Sequence, residues 1–412
     1  MNLVAAFIGG DKIICHSLFT RPPMKKTFKV ILLIESSRAS GREYLRGIAR
    51  YAHLHGAWSF YWEPGGFEIT RQTLEQLDVD GIILRDVGGR KTQVLRSGIP
   101  AVVLGHRDRE VRGLVNVVTD SNAIGRIAAE HLRQCGFKHF AYCGLARSAL
   151  EQTPWSTLRM ESFGANLVQA GFQPPPAFVL PPAGSDWKKK RRQLADWLVK
   201  LPHPIGLLAC NDDCGAQVAE ACKLAGLTVP DDVGIVGVDN DEVVCGLADP
   251  PMTSVALNFE RAGYQAAEAL NRLMHKSKKI PSHNIRVPAT HVVARRSTDI
   301  VAVPDAVLAK ALNCIRDRAR TPLSVNEVAQ TAGISRRMLE RRFRQHMGGS
   351  ILKEIRRHRT DQIARLLLET DFPVAHIAAS LGFADAQHFA RYFRAAKKVS
   401  PLAFRKAYAG VR

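Results

Sequence analysis

Apolar residues along this chain fall into two kinds of pattern, and the change from one to the other divides it. From Phe28 to about Lys200, short runs of Val, Ile and Leu alternate with stretches whose apolar positions recur every three or four residues. KVILLI (29–34) precedes an amphipathic stretch from Gly41 to His55 that aligns Tyr44, Leu45, Ile48 and Ala52 on one face. WSFYW (58–62), DGIIL (80–84) and IPAVVL (99–104) follow. Apolar runs without polar alternation predict strands covered on both faces, that is, parallel strands packed between helices. The pattern then restarts with HFAYCG (139–144), a helix over 155–171 ended by Gly171, and IGLLAC (205–210). A helix from Asp213 to Ala225 stopped by Gly226, VGIVGVD (233–239) and a long helix over about 260–275 complete it. The expected fold class is therefore α/β, with two similar lobes built on doubly wound parallel sheets. Such sheets bind ligands beyond the carboxyl ends of their strands, so two facing lobes make a cleft.

The period breaks over 299–304, a segment that ends in proline, and everything beyond it reads as helix. This divides the chain into an extension (1–27), a two-lobed sensor (28–298), a linker (299–304) and an all-α domain (305–412). Asp305 offers an N-cap for a helix to about Arg320. Ser324-Val-Asn-Glu327 is a capping box, Val325, Val328 and Ala329 face inward, and Gly333 can take the left-handed turn. Ser335 then caps a helix to about Met347. Leu339 and Phe343 mark its apolar edge, and Arg336, Arg337, Glu340, Arg341 and Arg344 its opposite face. The design repeats with Val374, Ile377, Ala378 and Leu381, a turn at Gly382-Phe383, and a cap at Asp385. In the helix that follows, Phe389 and Phe393 point in, while Gln387, His388, Arg391 and Arg394 point out. Between the units runs a continuous helix over Glu354–Thr370, with Ile355, Ile363, Leu366 and Leu367 placed to lock both halves; Ser400-Pro401 opens a last basic helix. One helix–glycine turn–helix occurs in many bundles. Two in tandem with basic outer faces suit the major groove, where guanidinium groups bond guanine edges and clamp phosphates.

Charge strengthens that reading. The chain holds 58 Lys/Arg against 38 Asp/Glu, and residues 305–412 alone hold 21 against 9, so +12 of the +20 excess sits in the last quarter. A local excess of this kind suits a polyanion, because each neutralised phosphate releases counterions. The eight cysteines form no CxxC pair, which argues against a disulfide framework or zinc site and for small buried side chains in a reducing compartment. The first residues carry no basic region ahead of their apolar run, and no stretch approaches the length of a membrane span, so a cytoplasmic location without membrane contact is expected. No GxGxxG, GxxxxGK[ST], nucleophile elbow or HExxH is present, so neither an enzyme nor a cofactor is expected. A transport binding protein could share the α/β part, but not the basic C-terminal quarter.

Residues 305–412, including IARLLLETDFPVAHIAASLGFADAQHFARYFRAAKKVSPLAFR (363–405), resemble the AraC-type DNA-binding domain. The resemblance implies that both recognition helices enter adjacent major-groove segments of double-stranded DNA. It places base reading at Arg337, Glu340 and Arg341, and at Ala386, Gln387, Ala390 and Arg391. The two alanines imply less hydrogen-bond readout by the second unit. Residues 28–298 resemble the lactose-repressor/ribose-binding-protein fold, through NVVTDSNAIGRIAAEHLRQCGFKHFAYCG (116–144), LLACNDDCGAQVAEACKLAGLTVPDDVGIVGVDNDE (207–242), PPMTSV (250–255) and RRST (295–298). That family's N-terminal DNA-binding headpiece is missing here. A periplasmic-binding-protein-like sensor joined through VVARRSTDIVAVPDAVLAKALNCIRDRA (292–319) to an AraC-type domain resembles the xylose-operon-regulator family. The resemblance implies a regulator, more often an activator, controlled by a small sugar with a pentose favoured. It also implies a homodimer and RNA polymerase as a further partner.

A sugar cleft needs Asp, Asn and Arg for hydroxyls and an aromatic ring for the C–H face. The family's ligand positions fall on Arg159, Asn211 and Asp239; Asp212, Asp241 and the loop Ser36–Arg42 are additions, and Trp155 is the candidate ring. Asn211 and Asp239 are equally suited to capping helices and turns. Arg159 could be a solvated helix residue and Trp155 a core residue. Trp58, Trp62, Trp187 and Trp197 read as packing residues, and His106, His131 and His139 as ordinary histidines, since no metal-ligand spacing supports them.

Overall fold

The computed structural model describes residues 27–56, 58–63, 76, 78–85, 97–105, 115–145, 154–181, 186–275, 284–300 and 305–408. The expected extension up to residue 26, most of the linker, Cys15 and His106 lie outside the described residues. The first lobe is a six-stranded sheet of β1 (Phe28–Leu33), β2 (Trp58–Trp62), β3 (Gly81–Arg85), β4 (Ala101–Leu104), β5 (Val115–Thr119) and β11 (Ile285–Val287). Their order is β11-β5-β4-β3-β1-β2, and every pairing is parallel. Helices α1 (Ala39–His55) and α7 (Phe259–Met274) pack together over this sheet. They cross at two glycines: a Cβ at Gly47 would collide with the Glu260 carbonyl, and one at Gly263 with that of Tyr44.

The second lobe holds β6 (His139–Leu145), β7 (Ala177–Leu180), β8 (Ile205–Ala209), β9 (Val233–Asp239), β10 (Thr253–Leu257) and β12 (Ala289–Val293). The order is β12-β10-β9-β8-β6-β7, parallel except that β12 runs against β10. Its helices are α2 (Ser121–Gln134), α3 (Pro154–Gln169), α4 (Trp187–Val199), α5 (Asp212–Ala225) and the short α6 (Glu242–Leu247). The chain crosses between lobes three times, after β5, before α7 and between β11 and β12. The crossings lie side by side: Asp120 N–H donates to the Val287 carbonyl at 3.0 Å, and Asn258 N–H to that of Pro288 at 3.1 Å.

The C-terminal part is all helix among the described residues: α8 (Ala306–Asp317), α9 (Val325–Ala332), α10 (Arg336–Met347), α11 (Ile351–Glu369), α12 (Val374–Ser380), α13 (Ala386–Lys397) and α14 (Pro401–Tyr408). Several stops and starts have a local cause. Ser324 and Glu327 form the reciprocal capping box, Gly333 closes α9 at φ 75°, and Ser335 and Asp385 accept from the N–H groups of Met338 and His388. The connecting helix begins a turn earlier than its apolar pattern suggests, because Ser350 caps it by accepting from Lys353 N–H. Leu312, Val328, Leu339, Phe343 and Ile355 share one core, and Ile363, Leu367, Ile377, Phe389 and Phe393 the other, so α11 threads both units.

Candidate ligand cleft and nucleic-acid interface

Arg159 lies near the start of α3, where a helix residue is ordinarily solvated, yet it is 2 % exposed. One Nη donates to the Cys210 carbonyl at the end of β8. The other lies 3.4 Å from Thr119 Oγ1 and 3.6 Å from Asp239 Oδ1. The guanidinium also sits over the Trp155 ring, 4.6 Å from its centroid. Asp239 ends β9 at φ 103° and Asn240 follows at φ 54°. Non-glycine residues rarely hold such angles, and those that do cluster at ligand clamps. Burial pushes the Asp239 carboxyl upward, while the Arg159 and Arg85 charges pull it back. Among the described residues, neither Asp239 Oδ1 nor Arg159 Nε has a hydrogen-bond partner, although both are buried. Native proteins satisfy nearly all such atoms, so an orphaned acceptor and donor beyond the strand ends need an explanation.

The other expected acceptors have internal tasks. Asn211 Oδ1 accepts from Cys214 N–H at 2.9 Å and so caps α5. Asp212 is fully buried, and its two oxygens accept from Asp241 N–H at 2.7 Å and Ser254 Oγ–H at 2.6 Å. Desolvation, reinforced by the Asp239 charge, raises its pKa to about 8. Asp241 caps α6 through the N–H groups of Val243 and Val244, and its second oxygen accepts from Ala39 N–H of the opposite lobe at 2.7 Å. The sequence reading missed Arg85, at the end of β3, which donates to Glu35 Oε1 at 3.0 Å and Ser40 Oγ at 3.1 Å. A single charge ending the apolar run GIILR was the available signal. Of the remaining tryptophans, Trp58 and Trp197 pack against the core and Trp62 donates to the Ile34 carbonyl. Trp187 is 59 % exposed beneath the Lys188 and Arg191 cations, so it does not pack in the interior. His131 is half-buried and bonded to Thr298 Oγ1 at 2.9 Å, and desolvation followed by the Arg357 charge lowers its pKa to about 3.

On the helical part, Leu339, Phe343, Phe389 and Phe393 are buried. That rotation leaves Arg336, Arg337, Arg341 and Arg344 exposed on α10, with Glu340 half-buried, and Gln387, His388, Arg391 and Arg394 exposed on α13. Arg336 Nε bonds Glu340 Oε1 at 2.8 Å, which holds that pair along the helix. Arg337, Arg341, Arg344, Arg391 and Arg394 make no ion pair with a described residue, leaving five cations to meet an outside anion. Other arginines build the frame. Arg342 ties α10 to the Asp305 cap at 3.0 Å, and Arg359 donates to the Leu381 carbonyl at 2.6 Å while stacking on Phe383. Arg405 Nε donates to the Leu367 carbonyl at 3.0 Å near the end of α11. The frame also meets the second lobe, where Arg357 of α11 donates to Gln134 Oε1 of α2 at 2.6 Å. Burial works against the neighbouring Glu354 carboxylate, but hydrogen bonds from His358 and Arg357 outweigh it and hold its pKa at about 2.

A two-lobed α/β sensor joined to paired helix-turn-helix units with cationic outer faces defines a DNA-binding transcription regulator. Residues 129–298 match a periplasmic binding protein-like domain and residues 328–407 a helix-turn-helix domain. The chain is 28 % identical to the xylose operon regulatory protein of Escherichia coli, over 92 % of this chain and 97 % of that one. The solved structure of the xylose-binding transcription activator xylR is 27 % identical and matches 93 % of this chain and 99 % of its own, with a TM-score of 0.60. The multiple antibiotic resistance protein MarA of Salmonella typhimurium is 30 % identical over 27 % of this chain and 85 % of its own length. The chain thus unites a periplasmic binding protein-like domain with a helix-turn-helix domain and is similar along nearly its whole length to xylose operon regulatory proteins. No helix among the described residues is long and apolar enough to cross a membrane.

Proposed function

We propose that residues 28–298 bind a small sugar between the lobes, a pentose with xylose first in line, and that residues 305–412 contact DNA in response. The orphaned Asp239 oxygen and Arg159 nitrogen carry this reading, because a polyol supplies both a hydroxyl donor and an acceptor. Trp155 stacks behind the guanidinium, and Asn211 completes the ligand set from the same strand ends. Asp212 and Asp241 support that set from behind. On the DNA, Arg337, Glu340, Arg341, Gln387 and Arg391 read bases, while Arg336, Arg344, His388 and Arg394 position the backbone. The names of the full-length relatives support both xylose as effector and activation as output. The regulator works in the cytoplasm as a homodimer that helps RNA polymerase and catalyses no reaction.

A melting-temperature screen against D-xylose, L-arabinose, D-ribose and D-glucose tests the effector. At about 100-fold excess over its dissociation constant a bound sugar adds about 2.7 kcal/mol, which raises the sensor's midpoint by roughly 5–10 °C. D-xylose is expected to do this. A midpoint that no sugar moves would overturn the sugar assignment.

A further inference from the structure

Helix α1 of the first lobe begins without a cap of its own. Arg38, at the N-cap position, offers no side-chain acceptor, and the first turn holds no acidic residue. The N–H groups of a first turn need partners, and a carboxylate is the best one because it also meets the positive end of the helix dipole. Here that carboxylate comes from the opposite lobe. Asp241, 6 % exposed, gives one oxygen to Ala39 N–H at 2.7 Å and the other to its own helix, at Val243 N–H, at 3.2 Å. The buried Asp212 fixes Asp241 by accepting its backbone N–H. Around this bond, Arg38 pairs with Asp213, and Arg42 Nη2 stands 3.9 Å from Asp241 Oδ1. The bond to Ala39 and the Arg38–Asp213 and Arg42–Asp241 pairs join the two lobes, so separating the lobes must break them.

We infer that Asp241, seconded by the Arg38–Asp213 pair, is an interlobe clasp that sets how readily the cleft closes. The inference rests on the cleft being the ligand site, and gives Asp241 a positioning role there. The contributions are unequal. Arg38 and Asp213 are 46 % and 36 % exposed, and ion pairs at that exposure contribute little. The buried charge-assisted bond to Ala39 is the strong element. A ligand that binds the closed lobes loses apparent affinity in proportion to the fraction of closed protein, so the clasp tunes sensitivity from outside the contact set.

The full chain carrying Asp241→Asn tests this, because asparagine can still cap α6 but presents no second acceptor to Ala39. Spin labels at Leu54→Cys and Val199→Cys, both exposed, report lobe separation, and calorimetry with D-xylose reports affinity. Without sugar, the variant is expected to show a longer and broader distance distribution, and its D-xylose affinity to fall about tenfold. Arg38→Ala lies at the surface and leaves the interior intact; it should shift the distances in the same direction with at most about a twofold affinity loss. Distances unchanged in both variants would overturn the clasp whatever D-xylose does. If the unsubstituted chain ignores D-xylose, the sugar assignment fails, and the distances still decide the clasp.

Discussion

With Asp239 replaced by alanine, DNA binding without sugar stays within about twofold of the unsubstituted chain, and added D-xylose no longer changes it. The expectation follows from the surroundings of that carboxylate. It faces Arg159 across 3.6 Å in a buried site, with one oxygen that no described residue satisfies. In the proposed binding mode, removing it deletes the acceptor for a ligand hydroxyl and leaves the Arg159 charge without its counter-ion. Breaking a pair whose arginine is buried and whose carboxylate is a quarter exposed costs up to about 3 kcal/mol, which is up to about a hundredfold in affinity if the loss falls on the bound state. No hydrogen bond or ion pair joins Asp239 to a described residue of the helix-turn-helix units, so DNA affinity itself should survive. Titration of a labelled duplex with and without D-xylose checks both halves, and a variant that still responded fully would remove Asp239 from the ligand site.

The second large effect concerns α10. Arg341→Ala should weaken binding to the preferred duplex by about 1–3 kcal/mol, while binding to random duplex falls much less. Arg341 is exposed and, among the described residues, bonds only the Met338 sulfur, so its loss disturbs no packing. The discrimination rests on bidentate contact with a guanine edge, which a phosphate contact does not supply. Fluorescence anisotropy at one fixed salt concentration, on preferred and scrambled duplexes, separates the cases. Equal losses on both would reduce Arg341 to a phosphate contact.

The helical quarter was legible because its boundaries are chemically local. Ser324, Ser335 and Asp385 cap within their own turns, Gly333 and Gly382 take the left-handed bend, and the four buried Leu and Phe fix which arginines face out. The central strands β1, β3, β8 and β9 were legible because both faces are covered and their runs are almost purely apolar. Strand β7 was not read from periodicity, since it lies at a sheet edge and is only partly buried. β10 hides its signal differently: Thr253 and Ser254 are fully buried polar residues, whose hydroxyls donate to the Arg295 carbonyl and to Asp212. In the cleft, family position pointed to Arg159, Asn211 and Asp239, which the fold brings to the ends of β8 and β9, but the tasks of Asp212 and Asp241 were not legible. Asp241 meets Ala39 across a sequence distance of 202 residues, and only the apposition of the lobes makes that contact.

In the proposed function, one chain couples a sugar cleft to DNA. The direct measurement selects a preferred duplex from random sequence with the full chain, then titrates D-xylose against occupancy at constant salt. A shift of at least about tenfold in DNA affinity is predicted, equal to roughly 1.4 kcal/mol of coupling. An affinity for that duplex indifferent to D-xylose and to the other pentoses would contradict it.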